Sequence, residues 1–138
     1  MIEILFRAKR KNWRELPKEE WWVEGYPVKY QPCASKDEYV YGIVPTYASA
    51  LYIIEIDPET LCQYTGMNDK NGNRIWENDI VRIENSMDEG IGNIEFYGGM
   101  WYVDGEPSNS LHDIVEYDDG ELEVIGNIFD NPELLKGE

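Results

Sequence analysis

The chain has little of what most catalytic or metal sites are built from. Its 138 residues include one histidine, His112, and two cysteines, Cys33 and Cys62. A zinc site needs about four nitrogen or sulfur ligands at short spacings, and these three residues do not supply them. The cysteines lack CxxC spacing, so a dithiol redox motif is excluded, and two cysteines make no disulfide framework. Both read as ordinary small core residues. A nucleophile pair between Cys33 or Cys62 and His112 has no local pattern behind it. The P-loop, the GxGxxG turn and the GxSxG elbow are all missing. Gly90-Ile91-Gly92 has no further glycine at the offset a nucleotide loop requires and reads as a turn between strands. No apolar run approaches the roughly 20 residues that span a bilayer. Met1 to Arg14 has no apolar stretch of the kind a secretory signal carries. The expectation is a cytoplasmic globular protein that binds no cofactor, holds no metal and does not act on membranes.

Basic residues are also few. There are 12 Lys+Arg against 28 Asp+Glu, a formal charge of −16. Such a body repels phosphate, which makes nucleic acid a poor partner for the whole chain. With 28 carboxylates, coincidental acid pairs are guaranteed, so a glycosidase-type dyad has no support beyond chance. The charge is uneven. Residues 1–30 carry seven basic against five acidic side chains, whereas residues 61–138 carry four against eighteen. Asp57-Pro58-Glu59-Thr60 punctuates the chain between these regions, because Pro58 fixes its own φ and biases Asp57 towards extended backbone. Two regions are expected: an N-terminal β-rich part over 1–60 and a C-terminal part over 61–138.

What is abundant is strand and turn chemistry. In the first region Glu3–Ala8, Trp21–Val28, Glu38–Val44 and Leu51–Ile56 are aromatic or β-branched. In the second, Leu61–Gly66, Asp79–Glu84, Asn93–Tyr97, Met100–Val103 and Glu121–Phe129 read as strands. Asn71-Gly72 and Gly98-Gly99 are hairpin-turn dipeptides, since these residues tolerate φ > 0. Gly126 suggests a bulge in the last strand. Asn131-Pro132-Glu133 has the form of a helix start with Asn131 as cap. Ser110–Tyr117 suits either a helical turn or a strand. The fold class is mainly β (α+β overall), with a small barrel or sandwich in the second region. Ile80, Val81, Ile83, Ile94, Phe96, Trp101, Val103, Val124, Ile125 and Ile128 are its candidate core, with about half fully buried because strands alternate.

Two patterns invite a sharper reading. Asp69, Asn71 and Asn73 alternate like the start of an EF-hand loop. The sixth and twelfth positions are Arg74 and Ile80, where glycine and glutamate are required. Asx turns, in which short polar side chains hold nearby backbone, explain the alternation better than calcium. The second pattern is basic: Arg7, Lys9, Arg10, Lys11, Arg14 and Lys18 cluster beside Trp13, an arrangement compatible with nucleic-acid contact and base stacking.

The segments Glu3–Arg10, Trp22–Tyr26, Ile56–Gly72, Arg74–Val81 and Val124–Leu135 together resemble the YopX-like family of phage and prophage proteins over nearly the whole length. The QYTG, DKNG and DIV strings and the IGNI…NPELL ending carry the resemblance. The family usually has glycine where this chain has Asn78, and it continues differently after the opening where this chain has Lys9-Arg10. Asn78 is compatible with a φ > 0 position. The resemblance implies a phage or prophage origin and a C-terminal small barrel of the Src-homology-3 type. It carries no catalytic residues. The leading expectation is a non-enzymatic, acidic protein-interaction module whose partner is a basic protein. One variant is an acidic decoy occupying a nucleic-acid-binding surface, though solubility alone also accounts for the charge. The alternative is a nucleic-acid-binding protein using the N-terminal basic segment. Homo-oligomer formation is a further option.

Overall fold

The computed structural model describes residues 3–32, 38–47, 52–84, 89–105, 110–111, 114 and 121–135. Among these residues β-strands dominate, as the alternating and β-branched segments require. The chain divides into two units, Met1–Gln63 and Tyr64–Glu138.

The first unit contains β1 (Phe6–Lys9), β2 (Trp22–Tyr30), β3 (Val40–Pro45), the short β4 (Ile54–Glu55) and the start of β5 (Cys62–Asn68). These pair antiparallel in the order β4-β3-β2-β1-β5. β1 aligns Ala8 with Val23 and Lys9 with Trp22. The inward side chains Ala8, Val23, Ile43 and Ile56 form the core, with Ile54 and Leu61 packed against it. Single 3₁₀ turns lie at Trp13–Glu15, Lys18–Glu20 and Pro58–Thr60. The last of these begins as the sequence indicates: Pro58 sits at its start, and the Asp57 carboxylate accepts the Glu59 N–H at 3.2 Å. An antiparallel bridge between Arg10 and Ile56 joins the residues after β1 to those after β4.

The second unit holds the rest of β5, β6 (Arg74–Trp76), β7 (Asp79–Glu84), β8 (Glu89–Tyr97), β9 (Met100–Gly105) and β10 (Glu121–Asn127). Four of these form an open antiparallel sheet in the order β10-β7-β8-β9. Its core is Ile75, Val81, Ile83, Ile94, Val103, Leu111, Ile114 and Leu122, with Met67, Trp101 and Val124 packed at the margin. Ile75 and Met67 come from the β5–β6 hairpin. Leu111 and Ile114 come from a helical turn in which the Ile114 N–H reaches the Ser110 carbonyl at 3.1 Å. That settles the ambiguous Ser110–Tyr117 segment for these residues.

Several sequence expectations need correction. Among the described residues the expected barrel is not closed: the four-stranded sheet stays open. Closure would need β9 and β10 to pair with further strands. The β10 edge is instead taken by a turn, with the Lys70 N–H on the Leu122 carbonyl at 2.9 Å and the Val124 N–H on Asp69 Oδ2 at 3.0 Å. β9 carries one further bridge, Tyr102 to Ser110. Gly90-Ile91-Gly92 is not a turn but lies inside β8, paired to Ile83, Arg82 and Val81. Of the candidate core, Ile80, Val81, Ile83, Ile94 and Val103 are fully buried, but Phe96 is 53% exposed. Alternation puts Phe96 on the same face as Ile94, yet β8 runs on past the end of the core. Asn131 precedes a 3₁₀ turn, Pro132–Leu135. Its side chain faces back and accepts the Asn127 N–H at 3.2 Å. It also fills the space beside Gly126, where a Cβ would lie 2.6 Å from Asn131 Oδ1. The register of β10 on β7 shifts between Val124 and Gly126, which is the bulge expected there.

Candidate functional site

The basic N-terminal segment is the first place to look. Each of its six cations has a partner within the first unit. The Arg7 guanidinium lies 4.5 Å from the Trp22 ring centroid. Lys9 Nζ lies 3.7 Å from Trp13 and 4.4 Å from Trp21. Arg10 Nη1 donates to the Glu20 carbonyl at 2.6 Å. Lys11 Nζ pairs with Glu55 Oε2 at 2.8 Å, and this hydrogen bond and charge raise the Lys11 pKa above its usual value. Arg14 sits 4.4 Å from Trp13 and Lys18 sits 5.8 Å from Trp21. Trp13, the candidate stacking ring, packs edge-on against Trp21 at 4.9 Å and donates Nε1–H to Asp57 Oδ2 at 3.3 Å. Basic and aromatic residues interleaved in sequence have thus found one another through cation–π contacts. An open cleft of about 650 Å³ lies alongside, lined in part by Lys11, Glu15, Glu20, Tyr52, Ile53 and Glu55.

The second place is the β8–β9 hairpin of the acidic unit. Gly98 and Gly99 both have positive φ, 59° and 87°, so the turn is the tight two-residue type that the dipeptide signals. Register places Phe96 opposite Trp101, Tyr97 opposite Met100 and Glu95 opposite Tyr102. Phe96 and Trp101 meet edge to face at 4.8 Å, and Tyr97 and Tyr102 at 6.3 Å. The Tyr102 hydroxyl points to Met100 Sδ at 3.9 Å. One face of the tip therefore shows Phe96 and Trp101, and the other shows Tyr97, Tyr102, Met100 and the exposed Glu95. Tyr97 is 76% exposed. The two-residue turn and the cross-strand register set where these rings stand.

A family model described as YopX protein matches residues 6–136. The chain belongs to the YopX family. The crystal structure of protein EF1440 from Enterococcus faecalis is similar in fold, with a TM-score of 0.59 and 23% identity over 98% of this chain and 99% of that one. No curated protein matches the chain.

In this YopX chain Asn78 has φ 71°, a left-handed position where glycine or asparagine is favoured. Its N–H donates to the Ile94 carbonyl at 2.8 Å and its carbonyl accepts the Ile128 N–H at 3.0 Å. Asp79 Oδ2 accepts the Trp76 N–H at 2.9 Å and completes the β6–β7 turn. The Asp69 alternation is Asx chemistry. Asp69 Oδ1 accepts the N–H groups of Asn71 and Asn73 at 2.9 and 2.8 Å, and Oδ2 accepts that of Val124. Burial alone would raise the Asp69 pKa. The backbone donors of Val124, Asn73 and Asn71, joined by the Asn73 side-chain amide, outweigh it and hold the carboxyl below its usual value. Among the described residues no three His, Cys, Asp or Glu side chains gather as metal ligands would. Cys62 is buried, with Sγ on the Thr60 carbonyl at 3.2 Å. Cys33 and His112 lie outside the described residues. Sequence reasoning missed the tip of the β8–β9 hairpin because it assigned Phe96 to the core together with Trp101, of which only Trp101 packs against it. The available signal was their position: Phe96 is two residues before Gly98 and Trp101 two after Gly99, where a hairpin overhangs its sheet.

Proposed function

We propose that this YopX protein is a non-enzymatic interaction module, encoded by a phage or prophage and acting in the host cytoplasm. It captures a basic protein partner through the aromatic tip of the β8–β9 hairpin. The observation that carries the reading is the exposure of Phe96, Tyr97 and Met100 at one hairpin tip, Phe96 on one face and the other two on the opposite face. Large aromatic side chains dominate binding energy at protein interfaces, and exposed apolar clusters of this kind mark them. Charge selects the partner. Residues 61–138 carry four Lys+Arg against eighteen Asp+Glu, which steers towards a basic surface and repels a second copy of the same tip. The nucleic-acid alternative draws less support, because the cations it relies on are engaged with Trp13, Trp21, Trp22, Glu20 and Glu55.

The test is affinity capture with the full chain, wild type against a Phe96→Ser, Tyr97→Ser, Met100→Ser variant of matched melting temperature. The expected result is a basic protein retained by the wild type, released by added salt and lost from the variant. Equal retention by both would reject the tip as the docking surface, and retention of an acidic protein would reject the charge argument.

A further inference from the structure

We infer that Trp13, Trp21 and Trp22 form an ammonium-binding cage whose resident ligand is the chain's own Lys9. Lys9 is 1% exposed. Its Nζ lies 3.7 Å from the Trp13 ring centroid, 4.4 Å from Trp21 and 5.6 Å from Trp22. All three distances are inside the roughly 6 Å over which the negative face of an indole attracts a cation, and the attraction strengthens where water is excluded.

The walls are fixed independently of the cation. Trp13 and Trp21 meet at an interplanar angle of 69°, which forms a corner rather than a slot. The Trp21 Nε1–H is held by the Leu16 carbonyl at 2.9 Å and that of Trp13 by Asp57. Trp22 stands on β2, directly opposite Lys9 in the ladder. The Lys9 backbone is pinned on both sides: its N–H donates to Thr60 Oγ1 at 2.8 Å, and its carbonyl accepts the Asp57 N–H at 2.9 Å. Arg7, Arg14 and Lys18 lie against Trp22, Trp13 and Trp21 respectively, whereas Lys9 lies within reach of all three. A compact tetrahedral cation suits a corner of rings better than a planar guanidinium, which stacks on one face. The ligand class is therefore an alkylammonium, and the cage in the native chain is already filled.

Shortening Lys9 should convert the cage into a receptor for a free ammonium. The experiment uses the full chain carrying Lys9→Ala, with choline chloride as probe. Sodium chloride at equal ionic strength is the salt control, and 3,3-dimethylbutanol is the uncharged isostere. A ligand that binds only the folded state raises the melting temperature with its concentration. Choline is expected to raise the melting temperature of Lys9→Ala and leave the wild type unchanged, with the isostere ineffective. The inference is overturned if choline has no effect on the folded variant, if it shifts wild type and variant alike, or if the isostere matches it, since the site would then be only an apolar hole. Should Lys9→Ala fail to fold, the wild type decides by NMR. The Lys9 Cε methylene protons should be displaced upfield by the ring currents and move back in Trp13→Ala, and resonances at the position of an exposed lysine would overturn the inference.

Discussion

Replacing Asp69 by alanine tests how the open edge of the second unit is held. Asp69 is 7% exposed, and its two oxygens accept three backbone N–H groups, those of Asn71, Asn73 and Val124. Asn71 and Asn73 are exposed, so water can replace the carboxylate there, at a net loss of roughly 0.5–1 kcal/mol each. The Val124 N–H is on the edge of a half-buried strand, and stranding it costs about 1–3 kcal/mol. The expected destabilisation by Asp69→Ala is about 2–5 kcal/mol at pH 7, a large part of the roughly 5–15 kcal/mol typical of a domain. Asp69→Asn keeps one acceptor oxygen and should lose about half as much. The pH dependence follows from the direction of the shift. The Asp69 carboxyl is held below its usual value of 3.8 in the folded chain. Its stabilisation is therefore complete above that value and is lost as pH falls through the lower, folded-state pKa. Urea melts of wild type and Asp69→Ala, followed by far-ultraviolet circular dichroism, should differ clearly at pH 7 and converge below about pH 3.8. Superimposed melts at pH 7, or a gap that widens on acidification, would refute the reasoning.

Other substitutions separate core from tip and turn from strand. Ile94→Ala removes a fully buried side chain and should cost about 2–5 kcal/mol, whereas Phe96→Ala loses chiefly its contact with Trp101 and should cost about 1 kcal/mol or less in the same urea melts. Equal losses at the two positions would return Phe96 to the core. Asn78→Gly should be tolerated within about 0.5 kcal/mol, while Asn78→Val at φ 71° should lower stability by about 1–3 kcal/mol. In gel-shift titrations at about 0.15 M salt, where the screening length is about 8 Å, the protein should not retain duplex or single-stranded DNA. Micromolar binding abolished by Arg10→Glu and Lys11→Glu would promote the basic-segment reading instead.

Much of the local structure was legible in the residues because it is determined by neighbours in the chain. Gly72, Gly98 and Gly99 supply positive φ, and both hairpins turn at the dipeptides that contain them. Asp57-Pro58 opens a 3₁₀ turn, Asp69 folds its own loop, and Asn78 takes the left-handed position that its resemblance to a family glycine indicated. These outcomes need only interactions a few residues apart. What the sequence could not settle depends on partners far along the chain. Alternation puts Ile94 and Phe96 on one face with equal confidence, and only the extent of the packed core leaves one buried and the other in water. Turn signals count strands but do not say whether the first and last will meet. That depended on the Asp69 turn, 55 residues from Val124, occupying the β10 edge. The basic run beside Trp13 has the same composition whether its cations face phosphate or indole. Tertiary structure turns Lys9 to indole, because β1 and β2 pair it with Trp22 and set its ammonium within reach of Trp13 and Trp21.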